Sequence, residues 1–561
     1  MSAPSTKDMK SIIEYFYDRE TNSPDAIFLR QPKGDQWLEL TYAQAGQEAR
    51  RIATYLAAQG LKAGDHIGLM SKNCYHWILA DLAIMMGGYV SVPYYASLNP
   101  TQLAEVIELS DIKLLFVGKL EDWGDRKNSV PETLNVIRFP HYQGNAEITI
   151  GEDWNEIVSN NEPLEKGATP NLDDLWTIKF TSGTTGSPKG VMHDHRTPSA
   201  IMVKEEETGW IGLTKLKEQR YFSFLPLNHV AERLGVEIPA IYFGGSISFA
   251  ENLDTFLNNL RDAQPSMLFA VPRIWTKFHS GVTAQIPVKK LNRLLNTPIV
   301  SGIVKKKILK GLGLQNIKIA ATGAAITPAY IKDFYRKLGI NLIEAYGMTE
   351  VCGSICNNPL PDGPSDSVGQ AIPGASIKIH PDTQEVLMKT PFMMRGYYKD
   401  PEKTNEVLED GWLHSGDRGT IDENGYVRII GRVGDAFKTA KGSYVIPNAM
   451  EEEIADNDYI EQVCVVGNGL AQPLALVNLS ELGLATDETE VKKSLNQCLE
   501  VLNKERAKFE HISTCVVMSE AWSDQNNLLT PTLKVRRGEI DNRYQNQYQN
   551  WHEDQESIIW A

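Results

Sequence analysis

One segment of this chain concentrates the residue types that bind anions. Thr177-Ile178-Lys179-Phe180 reads as an apolar strand, and it runs into Thr181-Ser182-Gly183-Thr184-Thr185-Gly186-Ser187-Pro188-Lys189-Gly190. Glycines let backbone N–H groups close on an anion, hydroxyls add donors and the lysine adds charge, so the loop has the chemistry of a phosphate cradle. It is not the Walker loop, GxxxxGK[ST], because the spacing differs and Lys189 is followed by Gly190. The competing reading, a flexible polar linker, is disfavoured by Pro188 and Lys189 within the run and by strand patterns on both sides. Two other groupings only look chemical. His193-Asp194-His195 follows the loop on a strand pattern and is read as structural, and Cys352 and Cys356 lack companion ligands and are read as buried spacers. A third grouping stands apart: residues 289–310 contain Lys289, Lys290, Arg293, Lys305, Lys306, Lys307 and Lys310 and no acidic residue. Such a run is either a solvated helix face or a docking surface for an anionic partner.

The elements that must position the loop follow from apolar periodicity. Residues 43–60 predict a helix stopped by Gly60, HIGLMS a strand, 74–86 a helix, YVSVPYY a strand, and a further helix begins near Asn99-Pro100. The alternation recurs at 266–272 and 317–325, so the fold class is α/β, a large domain of mixed or parallel sheets flanked by helices. Near residue 430 the texture changes to short strands and turns, followed by a helix at 448–455, a strand at EQVCVVG and a helix over 488–508. That is a separate, small α+β domain of about 130 residues. The expected bounds are 1–431 and 432–561. The polar, aromatic end NRYQNQYQNWHEDQESIIWA is either a closing helix or a frayed tail.

Composition narrows the partners. The 561 residues carry 56 Lys and Arg against 71 Asp and Glu, a net charge of −15, which excludes a general nucleic-acid binder. Six scattered cysteines are too few for a disulfide scaffold and fit a reducing compartment. No leader pattern is evident at the N-terminus. The apolar stretch 77–95 is interrupted by Asp81, Gly87-Gly88 and Pro93, short of the ~20 clean residues a span needs. A cytoplasmic protein, at most peripherally membrane-associated, is expected.

With the elements in view, TSGTTGSPKG resembles the phosphate-binding signature of the adenylate-forming superfamily, which includes acyl-CoA synthetases, luciferases and adenylation domains. Further segments resemble the family's other motifs in order. YFSFLPLNH, ending at His229, resembles the substrate-side motif, and Thr322-Gly323-Ala324-Ala325 the adenine-contacting turn. Glu344-Ala345-Tyr346-Gly347-Met348-Thr349-Glu350 resembles the adenine and metal segment, and WLHSGD, ending at Asp417, the ribose motif. Gly431-Arg432 resembles the hinge motif, and LTPTLKVRR, containing Lys534, the C-terminal lysine motif. LPLNHVAER, VPRIWTKF and FKTAKGSYVIPNAMEEEI resemble the long-chain fatty-acyl-CoA synthetase branch more than the aryl-acid branch.

The resemblance implies an AMP-forming ligase, in which a carboxylate attacks the α-phosphorus of ATP and CoA then takes the acyl group from the acyl-adenylate. ATP, Mg2+ and CoA are the implied co-reactants, and a fatty acid the substrate. A carrier-protein acceptor, an aryl acid, or a silent nucleotide-binding relative are the alternatives. Thr181, Ser182, Gly183, Thr184, Thr185, Gly186 and Lys189 would surround the pyrophosphate. Gly323, Ala324, Ala325, Glu344, Ala345, Tyr346, Gly347, Met348 and Thr349 would contact the nucleotide, with Asp417 and Arg432 at the ribose. Thr184 and Glu350 would hold the metal. His229 would lie near the reacting carboxylate, and mobile Lys534 would offset its repulsion from the α-phosphate, although Leu533 stands where many relatives have Gly. Val230 stands where amino-acid-activating relatives keep an Asp, which argues against an amino-acid substrate. In this family the small domain rotates between half-reactions. The hinge would be Arg432 and Gly434, the latter where relatives carry an acidic residue or lysine, and Lys441, Gly442 and Ser443 would line the CoA channel. The basic run 289–310 would then face CoA phosphates or a membrane delivering fatty acid.

Overall fold

A computed structural model describes residues 9–34, 36–181, 188–325, 327–358, 363–504, 506–530, 534–554 and 556–561. Its central sheet runs in the order Gly396–Tyr397, Lys189–Asp194, Leu175–Thr181, Val90–Tyr94, His66–Met70, Leu114–Val117, Asn135–Arg138, Glu152–Asp153. Leu175–Thr181 and the strands after it pair in parallel, while Lys189–Asp194 returns antiparallel with Lys189 opposite Thr181. The anion-binding loop therefore springs from the carboxyl end of a parallel strand, where α/β sheets place ligands. In a second sheet Met267–Ala270, Ile319–Gly323 and Leu342–Met348 are parallel and Gly353–Asn357 is antiparallel. A third, antiparallel sheet contains Glu385–Lys389, Trp412–Ile421 and Val427–Arg432, with Asp417 directly across from Arg432.

The expected early elements form where periodicity puts them. Helix Tyr42–Ala58 starts on a capping box made by Thr41 and Gln44, and Pro100–Ser110 starts on the side-chain cap of Asn99. The apolar stretch 77–95 is core: helix Tyr75–Met86 is buried on all sides and strand Val90–Tyr94 is fully buried. No helix among the described residues is long and apolar enough to cross a membrane.

The strand-rich texture near residue 430 begins inside the large domain, because Val427–Arg432 is sheet partner to Trp412–Ile421. Beyond it, Ile460–Val466, Leu474–Leu479, Thr514–Val517 and Ile558–Trp560 form a mixed sheet, covered by helices Pro447–Ala455, Glu488–Lys504 and Arg537–Glu553. The polar tail is thus a closing helix, held by buried Ile540, Tyr544 and Tyr548. It also adds an edge strand, Ile558–Trp560, parallel to Thr514–Val517, which its three residues were too short to announce. All six cysteines are free; five are buried and Cys498 is partly so. Burial pushes every one of their thiol pKa values up, that of Cys352 to about 11.

One charged cluster lies wholly inside the large domain. Arg233 contacts Asp81 and donates to Glu237 Oε2 at 2.6 Å, all three side chains being 0% exposed. Its guanidinium lies 4.2 Å from the ring centre of Trp176 and 5.4 Å from that of Trp77. The cluster ties helix Tyr75–Met86 to strand Leu175–Thr181 and to the π-helical turn Arg233–Glu237 just beyond His229. Removing one member strands the other charges out of water. Arg233→Leu is therefore expected to destabilise the large domain by about 3–5 kcal/mol, read as a lowered urea midpoint. An unchanged midpoint would contradict the role given to this cluster.

Candidate active site

Two loop ends of the second sheet carry residues that the resemblance assigns to the nucleotide. Gly323 ends strand Ile319–Gly323, and a Cβ there would lie 2.6 Å from the carbonyl oxygen of Ala345. Ala324 follows at φ +67°, turning the chain sharply. Gly347 is required by contact, since a Cβ would come within 1.7 Å of the Gly353 carbonyl oxygen at a bulge in the strand pair. Glu344 does not face this space. Its buried carboxylate accepts from Thr327 N–H at 2.9 Å and pairs with Lys332, so it fixes the turn after Ala325 instead of meeting a nucleotide. Tyr346 and Asp417 come together from different sheets. The tyrosine hydroxyl donates to Asp417 Oδ2 at 2.7 Å and Arg432 Nη1 donates to Oδ1 at 2.8 Å.

Lys189, Glu350 and Tyr397 come together beside the loop that the resemblance assigns to the phosphates. Lys189 starts strand Lys189–Asp194, and its ammonium lies 5.6 Å from the ring centre of Tyr397. Partial burial and the charge of Lys403 lower its pKa, against the pull of Glu350. Glu350 sits in the short turn Thr349–Val351 and accepts from the Tyr397 hydroxyl at 2.8 Å. Buried His193 anchors that turn, its Nε2 bonding to the Thr349 carbonyl at 2.7 Å. Burial pushes His193 to about 3 and neighbouring His195 to about 4, so both are neutral structural side chains. Ser182, Gly183, Thr184, Thr185 and Gly186 lie outside the described residues, as do the Pro531, Thr532 and Leu533 that precede Lys534.

His229 caps the short helix Val230–Glu232, its Nδ1 accepting from Ala231 N–H at 3.2 Å. That bond leaves the ring proton on Nε2. Burial, then the charges of Lys534 and Lys179, push His229 to about 4, so it is a neutral donor near pH 7. Lys534 comes from the small domain, which the Arg273–Glu461 ion pair ties to the large one. Lys534 is exposed. Dehydration and the charge of Arg432 lower its pKa, and Asp417 opposes them. The turn holding Lys441, Gly442 and Ser443 is not among these groups. It closes the ribbon Phe437–Lys438 and Tyr444–Val445 within the small domain, Gly442 N–H bonding to the Thr439 carbonyl.

Sequence reasoning passed over Tyr397, the Thr327–Glu344–Lys332 support, and Lys179. Lys179 is 2% exposed, has no hydrogen-bond partner for its ammonium among the described residues, and is pushed to about 7 by burial and by Arg233. The available signal was its place in an apolar strand, on the same face as Thr177 and Thr181.

Fold and site together define a two-domain α/β enzyme with a small C-terminal domain that carries Lys534. Residues 16–398 match the AMP-binding enzyme family and residues 435–556 the AMP-binding enzyme C-terminal domain, so the chain belongs to the adenylate-forming AMP-binding enzymes. It is 28% identical over 618 residues to human long-chain-fatty-acid–CoA ligase 1, covering 96% of this chain and 88% of that protein. It is 25% identical over 574 residues to a long-chain-fatty-acid–CoA ligase of Mycobacterium tuberculosis, covering 94% of each. The adenylation domain of a carboxylate reductase from Mycobacterium chelonae superposes with a TM-score of 0.81 at 20% identity, over 98% of this chain and 92% of that one. An anthranilate CoA ligase in complex with anthranoyl-AMP gives 0.76 at 18% identity, over 97% and 99%. At those identities the solved structures speak for the fold.

The position of Arg432 sets a pH limit. A lowered Lys534 pKa means that the ammonium is lost earlier as pH rises. Arg432→Gln removes the repelling charge and is expected to move the alkaline limb of kcat/KM for ATP, which reports free enzyme, to higher pH. A limb that stays fixed or moves down would contradict the coupling.

Proposed function

We propose that this chain is an ATP- and Mg2+-dependent, AMP-forming ligase that activates a long-chain fatty acid as its acyl-adenylate and transfers the acyl group to CoA. The observation that carries this reading is the network in which Asp417 accepts from both Tyr346 and Arg432, at the point where the chain leaves the large domain for the small one that supplies Lys534. The names of the relatives support the acid and the acceptor. Val230, next to His229, is buried and apolar, which suits an alkyl chain better than a charged substrate. Glu232, close by in sequence, holds the Ser223 hydroxyl and Phe224 N–H on its Oε1.

In this reading the roles are electrostatic. Asp417 accepts from the ribose hydroxyls, sharing its oxygens with Tyr346 and Arg432. The loop from Thr181 to Lys189 stabilises charge that develops on the pyrophosphate. His229 Nε2–H orients the substrate carboxylate, and Lys534 offsets repulsion between that carboxylate and the α-phosphate. A bound Mg2+ would neutralise phosphate charge during transfer, and it needs few protein oxygens. Glu350 fits that demand: one oxygen holds Tyr397, and the carboxylate has no other hydrogen bond among the described residues. Thr184 is the proposed second ligand. Rotation about 432–434 would then withdraw Lys534 and bring Lys441, Gly442 and Ser443 to the thiol path. Gly434 suits a pivot, having no atom within 4 Å of where a Cβ would stand.

The test is pyrophosphate release with MgATP across carboxylates of increasing chain length, with and without CoA. Release is expected to favour long-chain acids, with acyl-CoA formed when CoA is present. No release with any acid would overturn the reading, and release without thioester on CoA would shift it to a carrier-protein acceptor. Lys534→Ala is expected to slow adenylation by about a hundredfold or more while sparing thioester formation from supplied acyl-AMP. Equal loss of both steps would contradict the lysine's assignment.

A further inference from the structure

The basic run 289–310 is used neither by the core nor by the site. It folds into helices Val288–Leu295 and Val300–Gly311, anchored on one side by Leu291, Leu295, Ile308 and Leu312. On the other side Lys289, Lys290, Arg293, Lys306, Lys307 and Lys310 are exposed, and Lys305 is partly so. None of the seven has an ion-pair partner among the described residues. Large apolar side chains stand uncovered among them: Ile299 is 86% exposed, Ile303 67% and Val288 51%. Ile299 is held out by a tight turn, at φ +68° and ψ −52°, with Val300 N–H bonding to the Pro298 carbonyl at 2.8 Å. That conformation is strained for a β-branched residue. Ile299, Ile303, Lys306, Lys307 and Lys310 then follow one another down a single helical stripe, apolar at one end and basic at the other.

A face solvated for its own sake has no use for exposed isoleucines at a strained tip. A site for nucleotide phosphates has none either, because it needs convergent donors alone. An anionic bilayer uses both parts, lysines at the headgroups and isoleucines at the acyl boundary. The rest of the chain is acidic, so such a surface would turn this face toward itself. We infer that residues 288–310 form a peripheral docking surface for anionic lipid membranes. The docking does not depend on which acid the enzyme activates.

The test is flotation of the full chain with vesicles of phosphatidylcholine, with and without phosphatidylglycerol. Binding is expected only with phosphatidylglycerol, and it should weaken as salt is added. The triple variant Lys305→Glu, Lys306→Glu, Lys307→Glu should bind about tenfold or more weakly. The double variant Ile299→Ser, Ile303→Ser should bind several-fold more weakly at unchanged charge. Thermal unfolding of both variants should match the parent, since the substituted side chains are largely exposed. Equal binding to neutral vesicles, no binding to either kind, or parent-like binding by either variant would overturn the proposal. A raised KM for CoA with vesicle binding intact would assign the lysines to the nucleotide and also overturn it.

Discussion

The Asp417–Arg432 pair is the interaction on which the site depends. It joins the long strand Trp412–Ile421 to the last strand of the large domain, and Arg432 is the residue from which the chain leaves for the small domain. The same carboxylate holds the Tyr346 hydroxyl, so the second sheet is tied to the third at that atom. The charge of Arg432 also reaches Lys534. The second sheet, the domain junction and Lys534 therefore share one electrostatic centre, and a change at any of them is felt by the others.

What the sequence disclosed follows from what kind of signal each residue carries. The loop from Thr181 to Lys189 is contiguous, so its chemistry is legible in order, and the α/β class follows from strands and helices that alternate plainly. The direction of a side chain is not written the same way. Glu344 sits in a nucleotide motif, yet its carboxylate is consumed by Thr327 and Lys332, and only the fold decides which. Glu350 and Tyr397 are far apart in sequence and meet because Gly396–Tyr397 pairs with Lys189–Asp194. Buried Arg233, the last residue of LPLNHVAER, is held by Asp81 and Glu237, partners that only the fold brings to it.

An acidic chain that handles polyanions must localise its positive charge. Lys189 stands at the mouth of the loop, Arg432 and Lys534 at the domain junction, and each of these lysines is kept partly dehydrated, which lowers its pKa. Dehydration strengthens their attraction for phosphate and carboxylate when those arrive. It also makes the unliganded site electrostatically costly, a reason for the supporting shell of Tyr397, Tyr346 and Asp417 to be so fully hydrogen-bonded.

The buried cysteines have a bearing on redox chemistry. A thiol attacks as its thiolate, and a raised pKa with little exposure suppresses that form. All six thiols are shifted in that direction, including the partly exposed Cys498. If the acceptor is the thiol of CoA, the protein surrounds it with no competing nucleophilic sulfur of its own. Mixed disulfides between enzyme and substrate are thereby disfavoured, and the acyl-adenylate meets the sulfur brought to it by the substrate.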